Sequence, residues 1–435
     1  MPMFQLKEND TNVKTEVISG ITTFLTMVYI VVVNPVILHN AGVPFHQVFI
    51  ATIIAVIVGT LWMGLMANYP IAIAPGMGLN AYFAYSVVGS HHDITYMTAF
   101  SAVFVSGILF IILSMTSFRQ KLIEVIPESL KHGITAGIGL FIAFLGLRMT
   151  GIIADNKENL VGLGDLHSPS SLLALFGLAV TIVLMVLNVH GALFIGMMLT
   201  GTAAYFTGQL NFHEGIVSLP SLPDKLIIQN PIAAFGDVIH YSLYSVVFSF
   251  LLVTIFDTTG TIVGVTQQAG LMKGNFLPRA KQALMADSIA TTIGAVFGTS
   301  PSSAYIESST GVAAGGRTGL TAVVTAILFA AAAFFGPLVS AVSEISAITA
   351  PALIIVGSLM MKNVTKINWN ELDEAFPAFI IILSMPLTSS ISTGIAFGFI
   401  FYPLLKICQG KWRSVHPLLY LFAVLFFYQL AFTPH

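Results

Sequence analysis

Two carboxylates and one amide stand where an apolar chain can least accommodate them. Glu307 lies in "GTSPSSAYIESSTGVAAGGRTG" (298–319), Asp257 in "LLVTIFDTTGTIVG" (251–264) and Asn80 in "IAIAPGMGLNAYFAY" (71–85). Thr254 precedes Asp257 by about one helical turn, Thr258 and Thr259 follow it, and Thr22, Thr23 and Thr26 line one region of "GITTFLTMVYI". An ionisable residue inside an apolar run is expensive and defaults to a functional candidate. A carboxylate only accepts hydrogen bonds when ionised, whereas an amide both donates and accepts. Together they suit a small planar ligand with alternating donors and acceptors. A carboxylate at the positive end of a helix is also stabilised as an anion while burial favours its neutral form, the balance that proton coupling requires. Structural readings stand beside these. Glu307 also suits a plain helix-terminus anion, Asp257 a buried tie to neighbouring hydroxyls, and the Thr and Ser residues close helix packing. Tyr82, Tyr85 and Tyr305 suit stacking on a flat ligand or packing at an interface. His190 and His240 read as interfacial.

The elements that must position these groups are membrane helices. The chain has 435 residues, 56% of them hydrophobic and 8% charged, with mean hydropathy +0.89. Soluble domains carry roughly 25% charged residues, so the solvent of this chain is mostly lipid. Basic residues are sparse and scattered, which gives no nucleic-acid signature. The one cysteine, Cys408, excludes an intrachain disulfide and a cysteine metal cluster. No metal or cofactor is expected. No cleavable signal is evident, and the polar stretch 1–14 reads as cytoplasmic. Apolar runs predict fourteen spans near 17–36, 47–67, 73–88, 96–115, 132–149, 171–188, 191–208, 240–262, 283–298, 302–315, 319–341, 346–361, 375–389 and 391–407. A further apolar run, 417–432, suits another crossing or an interfacial helix.

With the N-terminus inside, fourteen crossings place Lys7, Lys14, Arg119, Lys121, Lys131, Lys273, Arg279, Lys281, Arg317, Lys362, Lys366, Lys406, Lys411 and Arg413 in the cytoplasm. Arg148, Lys157 and Lys225 fall outside, a division of 14 against 3 of the 17 basic residues and a strong positive-inside bias. Spans 3 and 10 are short and rich in Gly and Pro. Pro75 stands five residues before Asn80 and Pro301 six before Glu307. A second echo joins "HGALFIGMMLTGTAAYFTG" (190–208) to "STGIAFGFIFYPLLKICQG" (392–410). Third thus matches third and seventh matches seventh, and an odd count sets the halves in opposite orientation. Inverted repeats with paired broken segments are a transporter signature, with the site between the breaks. An extended 302–307 would turn unpaired backbone groups of Tyr305, Ile306, Glu307 and Ser308 toward a ligand edge.

The stretches "NPVILHNAGVP", "YPIAIAPGMGLNAYFAY", "FDTTGTIVGVTQQAGLM" and "GTSPSSAYIESSTGVAAGGRTGL" resemble the adenine/guanine/hypoxanthine permeases of the nucleobase–cation symporters, over essentially the whole chain. The resemblance implies the fold of the uracil permease: an all-α polytopic protein of seven plus seven inverted spans, with a short strand in each of spans 3 and 10. It divides the chain into a core domain (1–130 and 240–345, spans 1–4 and 8–11) and a gate domain (131–239 and 346–435, spans 5–7 and 12–14 with the apolar tail). It implies a purine held between spans 3, 8 and 10 by Asn80, Asp257 and Glu307. Tyr305, Ile306, Ser308, Thr254 and Thr26 are nearby contacts, and Glu307 and Asp257 carry the coupled proton. Relatives carry a further acid at the position of Thr254, so Asp257 either touches the ligand or supports the site. A homodimer through the gate domain is also implied.

The expected function is import of guanine or hypoxanthine, with adenine as a further substrate, across the plasma membrane by proton symport and alternating access, sodium being the less favoured ion. An anion transporter of the same fold would want a positive charge between the breaks. A passive channel would not need buried acids. An intramembrane enzyme would need a metal cluster or a Ser–Lys pair, and none stands out within the spans.

Overall fold

The computed structural model describes residues 4–89, 94–116, 125–156, 160–210, 215–223, 225–272 and 277–432. Arg119, Lys121, Lys157 and Lys273, counted in the charge balance above, lie outside them. Among the described residues nine helices are long and apolar enough to cross a bilayer. They are span 1 (Val13–Met27 and Ile30–His39), span 2 (Phe45–Trp62), span 4 (Tyr96–Met115), span 5 (Glu128–Met149), span 6 (Pro169–Val186), span 8 (Tyr244–Gln268), span 11 (Gly319–Ala332, prolonged by Gly336–Ser343), span 12 (Ser346–Met360) and span 14 (Ile391–Cys408). Span 7 (Ala192–Phe206) and span 13 (Leu372–Thr388) are shorter, and span 9 (Ala280–Phe297) carries Lys281 and Asp287. The tail helix Pro417–Phe432 packs its Phe422 and Phe426 against Phe399 of span 14 and Phe248 of span 8, with ring centroids 4.9–5.9 Å apart.

Spans 3 and 10 are each a strand followed by a short helix. Strand β1 (Ile73–Pro75) leads into Met77–Ala81 and a wider π-type turn, Tyr82–Val88, and a second strand (Ser302–Ala304) leads into Ser308–Ala313. The two strands pair antiparallel with Ala74 opposite Ser303. Just beyond this pair, Gly76 N donates to the Pro301 carbonyl (2.9 Å) and Tyr305 N to the Ala72 carbonyl (3.0 Å). These two bonds exchange under a two-fold axis through Ala74 and Ser303. The outer edges of the strands are clipped in the same symmetric way. Thr60 of span 2 donates to the Ile73 carbonyl (3.1 Å) and accepts from Ile73 N (3.0 Å). Thr291 of span 9 donates to the Ser302 carbonyl (3.4 Å) and accepts from Ser302 N (2.9 Å). A single hydroxyl, which both donates and accepts, thus closes each strand edge.

The strand is shorter than the expected extended 302–307. From Tyr305 onward, Ser308 N, Ser309 N and Thr310 N donate to the carbonyls three residues back, at 2.9–3.1 Å. Helical bonding takes over where the ladder to β1 ends, so Ile306 and Glu307 sit on a turn. The loop near 150–170 holds a small hairpin, Ile153–Asn156 with Leu160–Leu163, and the next long loop holds the helix Pro231–His240. Neither is visible in the apolar pattern, because both are short and partly polar.

Span 9 packs against spans 2 and 4, and span 11 against spans 1 and 2. Span 5 packs against spans 12 and 13, span 6 against 7 and 12, and span 13 against 14. Small residues allow the closest of these approaches, as expected where lipid removes the hydrophobic drive between helices. A Cβ on Gly59 would lie 2.6 Å from Ile73 and 2.8 Å from Ala290, and one on Gly319 would fall inside the backbone of Gly64. At Gly319 the obstacle is backbone, which cannot swing aside. Gly319→Ala is therefore expected to destabilise the protein by about 1–3 kcal/mol or more, read as a lowered melting temperature in detergent. Gly236→Ala, whose Cβ would meet open space within the helix Pro231–His240, serves as the control that does not lower the melting temperature, since alanine favours a helix over glycine.

Candidate functional site

The strand pair, the span 10 half-helix, span 1 and span 8 bring Asp257, Tyr305 and Thr26 into the neighbourhood of Glu307. Glu307 lies immediately before the half-helix Ser308–Ala313. Its Oε1 accepts a hydrogen bond of 2.7 Å from the Tyr29 hydroxyl, and Tyr29 is wholly buried. Tyr29 occupies the tightened turn between the two parts of span 1, where Val32 N and Val33 N both donate to its carbonyl. That turn aims the phenol across to span 10. Thr26, one turn earlier, bonds Thr310 at 3.0 Å, and Thr310 in turn donates to the Glu307 carbonyl at 2.7 Å. Span 1 therefore fixes both ends of the Glu307 residue.

Asp257 of span 8 lies within hydrogen-bonding reach of the Ser303 hydroxyl and close enough to Glu307 and Asp287 to feel their charges. Its neighbour Thr258 accepts from Ala304 N at 3.3 Å, which docks span 8 on the second strand. Thr254 is buried one turn earlier. Beyond Asp257 the same helix face continues as Gly260, Val263, Gly264 and Gln267, all exposed, and a Cβ on either glycine would meet nothing. Ile306, 56% exposed, belongs to the turn that carries Glu307. Two hydrogen bonds join neighbouring segments at the end of span 3. Ser86 donates to the Ser389 carbonyl at 2.6 Å, and Asn40 bonds the Tyr85 hydroxyl at 3.0 Å.

Several sequence candidates are engaged by the scaffold. Ser308 Oγ accepts from Ala72 N at 3.0 Å, and the Tyr305 hydroxyl donates to the Pro75 carbonyl at 2.5 Å. Both lock the strand pair, and Tyr305 still borders Glu307 and Asp257. Tyr82 packs edge-on against Phe250 of span 8, centroids 5.2 Å apart. Asn80 is wholly buried on the span 3 half-helix, and its Nδ2 donates to Asn34 Oδ1 at 2.9 Å. Sequence reading passed over Tyr29, Asn34, the buried Asp287 and the buried Glu16. Glu16 accepts from Arg317 N, Thr318 N, Thr321 N and the Thr321 hydroxyl, tying span 1 to the start of span 11. The Asn-Pro step in span 1 and the acid of "MADSIATT" were the available signals for Asn34 and Asp287. Tyr29 had none. Arg317, the cation nearest in sequence to Glu307, turns its guanidinium to the carbonyls of Val312 and Gly316 at the far end of the half-helix. Among the described residues no group of three or more His, Cys, Asp and Glu side chains forms a metal site.

A family model described as a permease family matches residues 14–397. The chain belongs to this permease family. It is 69% identical over 429 residues to the guanine/hypoxanthine permease PbuO of Bacillus subtilis (strain 168), covering 98% of this chain and 99% of that protein. It is 43% identical over 425 residues to the adenine permease AdeQ of Escherichia coli (strain K12), covering 98% and 94%. Among solved structures, the transmembrane domain of the cyanobacterial bicarbonate transporter BicA matches with a TM-score of 0.65 at 15% identity, over 88% of this chain and 97% of that one. The permease thus has the inverted seven-plus-seven transporter fold. It is a membrane transporter and not an enzyme.

The Tyr29–Glu307 bond ties span 1 directly to the carboxylate, and it has a single-atom test. A hydrogen bond to a charged group is worth about 1.5–3 kcal/mol, and each 1.4 kcal/mol is about tenfold in affinity. Tyr29→Phe should weaken apparent substrate affinity about tenfold or more in uptake assays, with protein level unchanged on blots.

Proposed function

We propose that this permease imports purine nucleobases by proton symport, holding the base between the span 3 and span 10 breaks. The observation that carries the reading is a half-buried carboxylate, Glu307, at the start of a half-helix flanking the strand pair, oriented by a hydroxyl donor and set near a second acid, Asp257 of span 8. A purine N–H pairs with such a carboxylate in a charge-assisted bond. The relatives named for guanine/hypoxanthine and adenine transport support the ligand class. The fold match to a bicarbonate transporter brings an anion substrate into consideration, but Arg317 is occupied with carbonyls and acids line the site. Buried acids that change protonation with occupancy are what proton coupling uses.

Alternating access follows from the packing in this reading. Spans 1–4 with 8–11 form a core that carries every site residue, and spans 5–7 with 12–14 form the gate against which it moves. The open face of span 8 from Gly260 to Gln267 and the closed Ser86–Ser389 contact favour a state open toward one side. The balance of basic residues supports reading that side as the cytoplasm, with the N-terminus inside, and an importer of external bases belongs in the plasma membrane.

The test is radiolabelled hypoxanthine uptake in a strain lacking its own purine permeases, with guanine, adenine, xanthine and uracil as competitors, with and without a protonophore. Accumulation inhibited by purines and abolished by the protonophore is expected. Uptake that only equilibrates, or that a bicarbonate excess competes away, would overturn the reading. Glu307→Gln keeps the volume but replaces an acceptor by a donor. Its uptake should fall to near background, with wild-type protein level, and what remains should be flat between about pH 5.5 and 8, whereas the wild type varies with pH.

A further inference from the structure

Asn80 lies on the half-helix that follows β1, and half of its amide is already committed. Its Nδ2 donates to Asn34 Oδ1, while its Oδ1 is buried and has no partner. The two ends of an amide are nearly the same in shape and opposite in hydrogen-bonding sense. Whatever holds the amide one way round therefore decides what it offers. Asn34 of span 1 is wholly buried and is itself oriented by two hydroxyls. Its Nδ2 donates to Thr52 Oγ1 at 2.7 Å and to Thr299 Oγ1 at 2.8 Å. The Thr52 proton is engaged elsewhere, donated to the Val48 carbonyl at 2.6 Å. Thr52 can thus only accept from Asn34. Turning Asn34 over would set two oxygens face to face at 2.7 Å with no proton between them. The Ser300 hydroxyl, 3.4 Å from Asn34 Oδ1, points the same way. A sequence of fixed polarities runs from the Val48 carbonyl through Thr52 and Asn34 to Asn80, and ends on an unpaired acceptor.

We propose that Asn34, held by Thr52, is a positioning residue that fixes Asn80 with its oxygen free, and that this acceptor selects a base presenting an N–H over one presenting a lone pair. The proposal rests on the reading of Asn80 as a ligand contact. Hypoxanthine and adenine are suitable probes, because their six-membered rings are opposed. Hypoxanthine has an oxo group beside N1–H, and adenine an amino group beside a bare N1. A buried polar group left facing a like group loses its hydrogen bond and keeps its desolvation penalty, which makes such an edge discriminating.

The experiment measures inhibition of radiolabelled hypoxanthine uptake by unlabelled hypoxanthine and by adenine, in wild type, Asn34→Ala, Thr52→Val and Thr52→Ser. With the lock removed the Asn80 amide turns freely and serves either edge. The ratio of the two apparent affinities is expected to move toward one by about tenfold or more in Asn34→Ala and Thr52→Val. Thr52→Ser retains the hydroxyl and should retain the wild-type ratio. A purely structural knot predicts otherwise: uptake of both bases falls together with protein level and the ratio stays. That outcome, or an unaltered ratio in Thr52→Val, overturns the proposal. Should Asn34→Ala fail to fold, the near-isosteric Thr52→Val carries the test. Asn80→Ala separates the two layers. If it leaves both affinities unaltered, Asn80 is no ligand contact and the site reading fails at that residue. If it changes them while Asn34→Ala and Thr52→Val keep the ratio, the lock alone fails.

Discussion

Everything in the site hangs on how two interrupted helices satisfy their backbones inside lipid. A break in a spanning helix exposes N–H and C=O groups that the hydrocarbon cannot solvate, each costing several kcal/mol if left unpaired. Here each break supplies what the other lacks, through the β1 pairing with Ser302–Ala304 and the two flanking bonds from Gly76 and Tyr305. The pair is only three residues long, so it has two open edges. Thr60 and Thr291 close them from spans 2 and 9, which occupy equivalent places in the two halves. Thr258 and Ser308 take the neighbouring amides Ala304 N and Ala72 N. Small hydroxyl side chains thus stand where a soluble protein would place water or another strand.

That accounting explains why some residues that look like ligand contacts are scaffold. Tyr305 and Ser308 lie in the most polar stretch of the chain, yet their side chains serve the strand pair. It also explains where Glu307 sits. The ladder stops at Tyr305 because β1 offers no partner beyond Ala72, the next amides bond helically, and the acid falls on the turn between the two regimes. The carboxylate is displaced from the strand edge but held by Tyr29, Thr26 and Thr310 on a surface that only the tertiary fold creates.

The spans, the two breaks, their equivalence and the three principal polar residues were legible in the sequence, because each departs from an otherwise apolar pattern. Asp257 and Glu307 lie close enough to feel each other's charge, while Asn80, on the half-helix after β1, bonds Asn34 of span 1. What stayed hidden has a common cause. Tyr29 in "TMVYIVVV" is chemically indistinguishable from a packing aromatic until the turn at Val28 and Tyr29 aims it. Asn34 looks like a residue preceding a helix proline, and only its contacts across spans 2, 3 and 10 show the amide network. Asp287 and Glu16 lie near predicted span ends, where charge is ordinary, yet both are fully buried. Burial of a terminal residue depends on which helix crosses above it, and no periodicity encodes that.

Among the described residues no guanidinium or ammonium group pairs with Glu307, and that shapes what the proposed site can accept. A buried carboxylate with a cationic neighbour is already neutralised, and a neutral base would add little to it. Glu307 instead has one phenolic donor, and Asp257 has the Ser303 hydroxyl. Hydroxyls stabilise an anion partially and leave lone pairs unfilled. A ligand that brings N–H donors completes that coordination, whereas an anion adds like charge in a place where screening by water is weak. The same incompleteness makes a proton an alternative partner for the carboxylate. In the proposed symport, ligand and proton would address one group from two directions, and the scaffold of Tyr29, Thr26 and the strand pair would need only keep that group in place while either arrives.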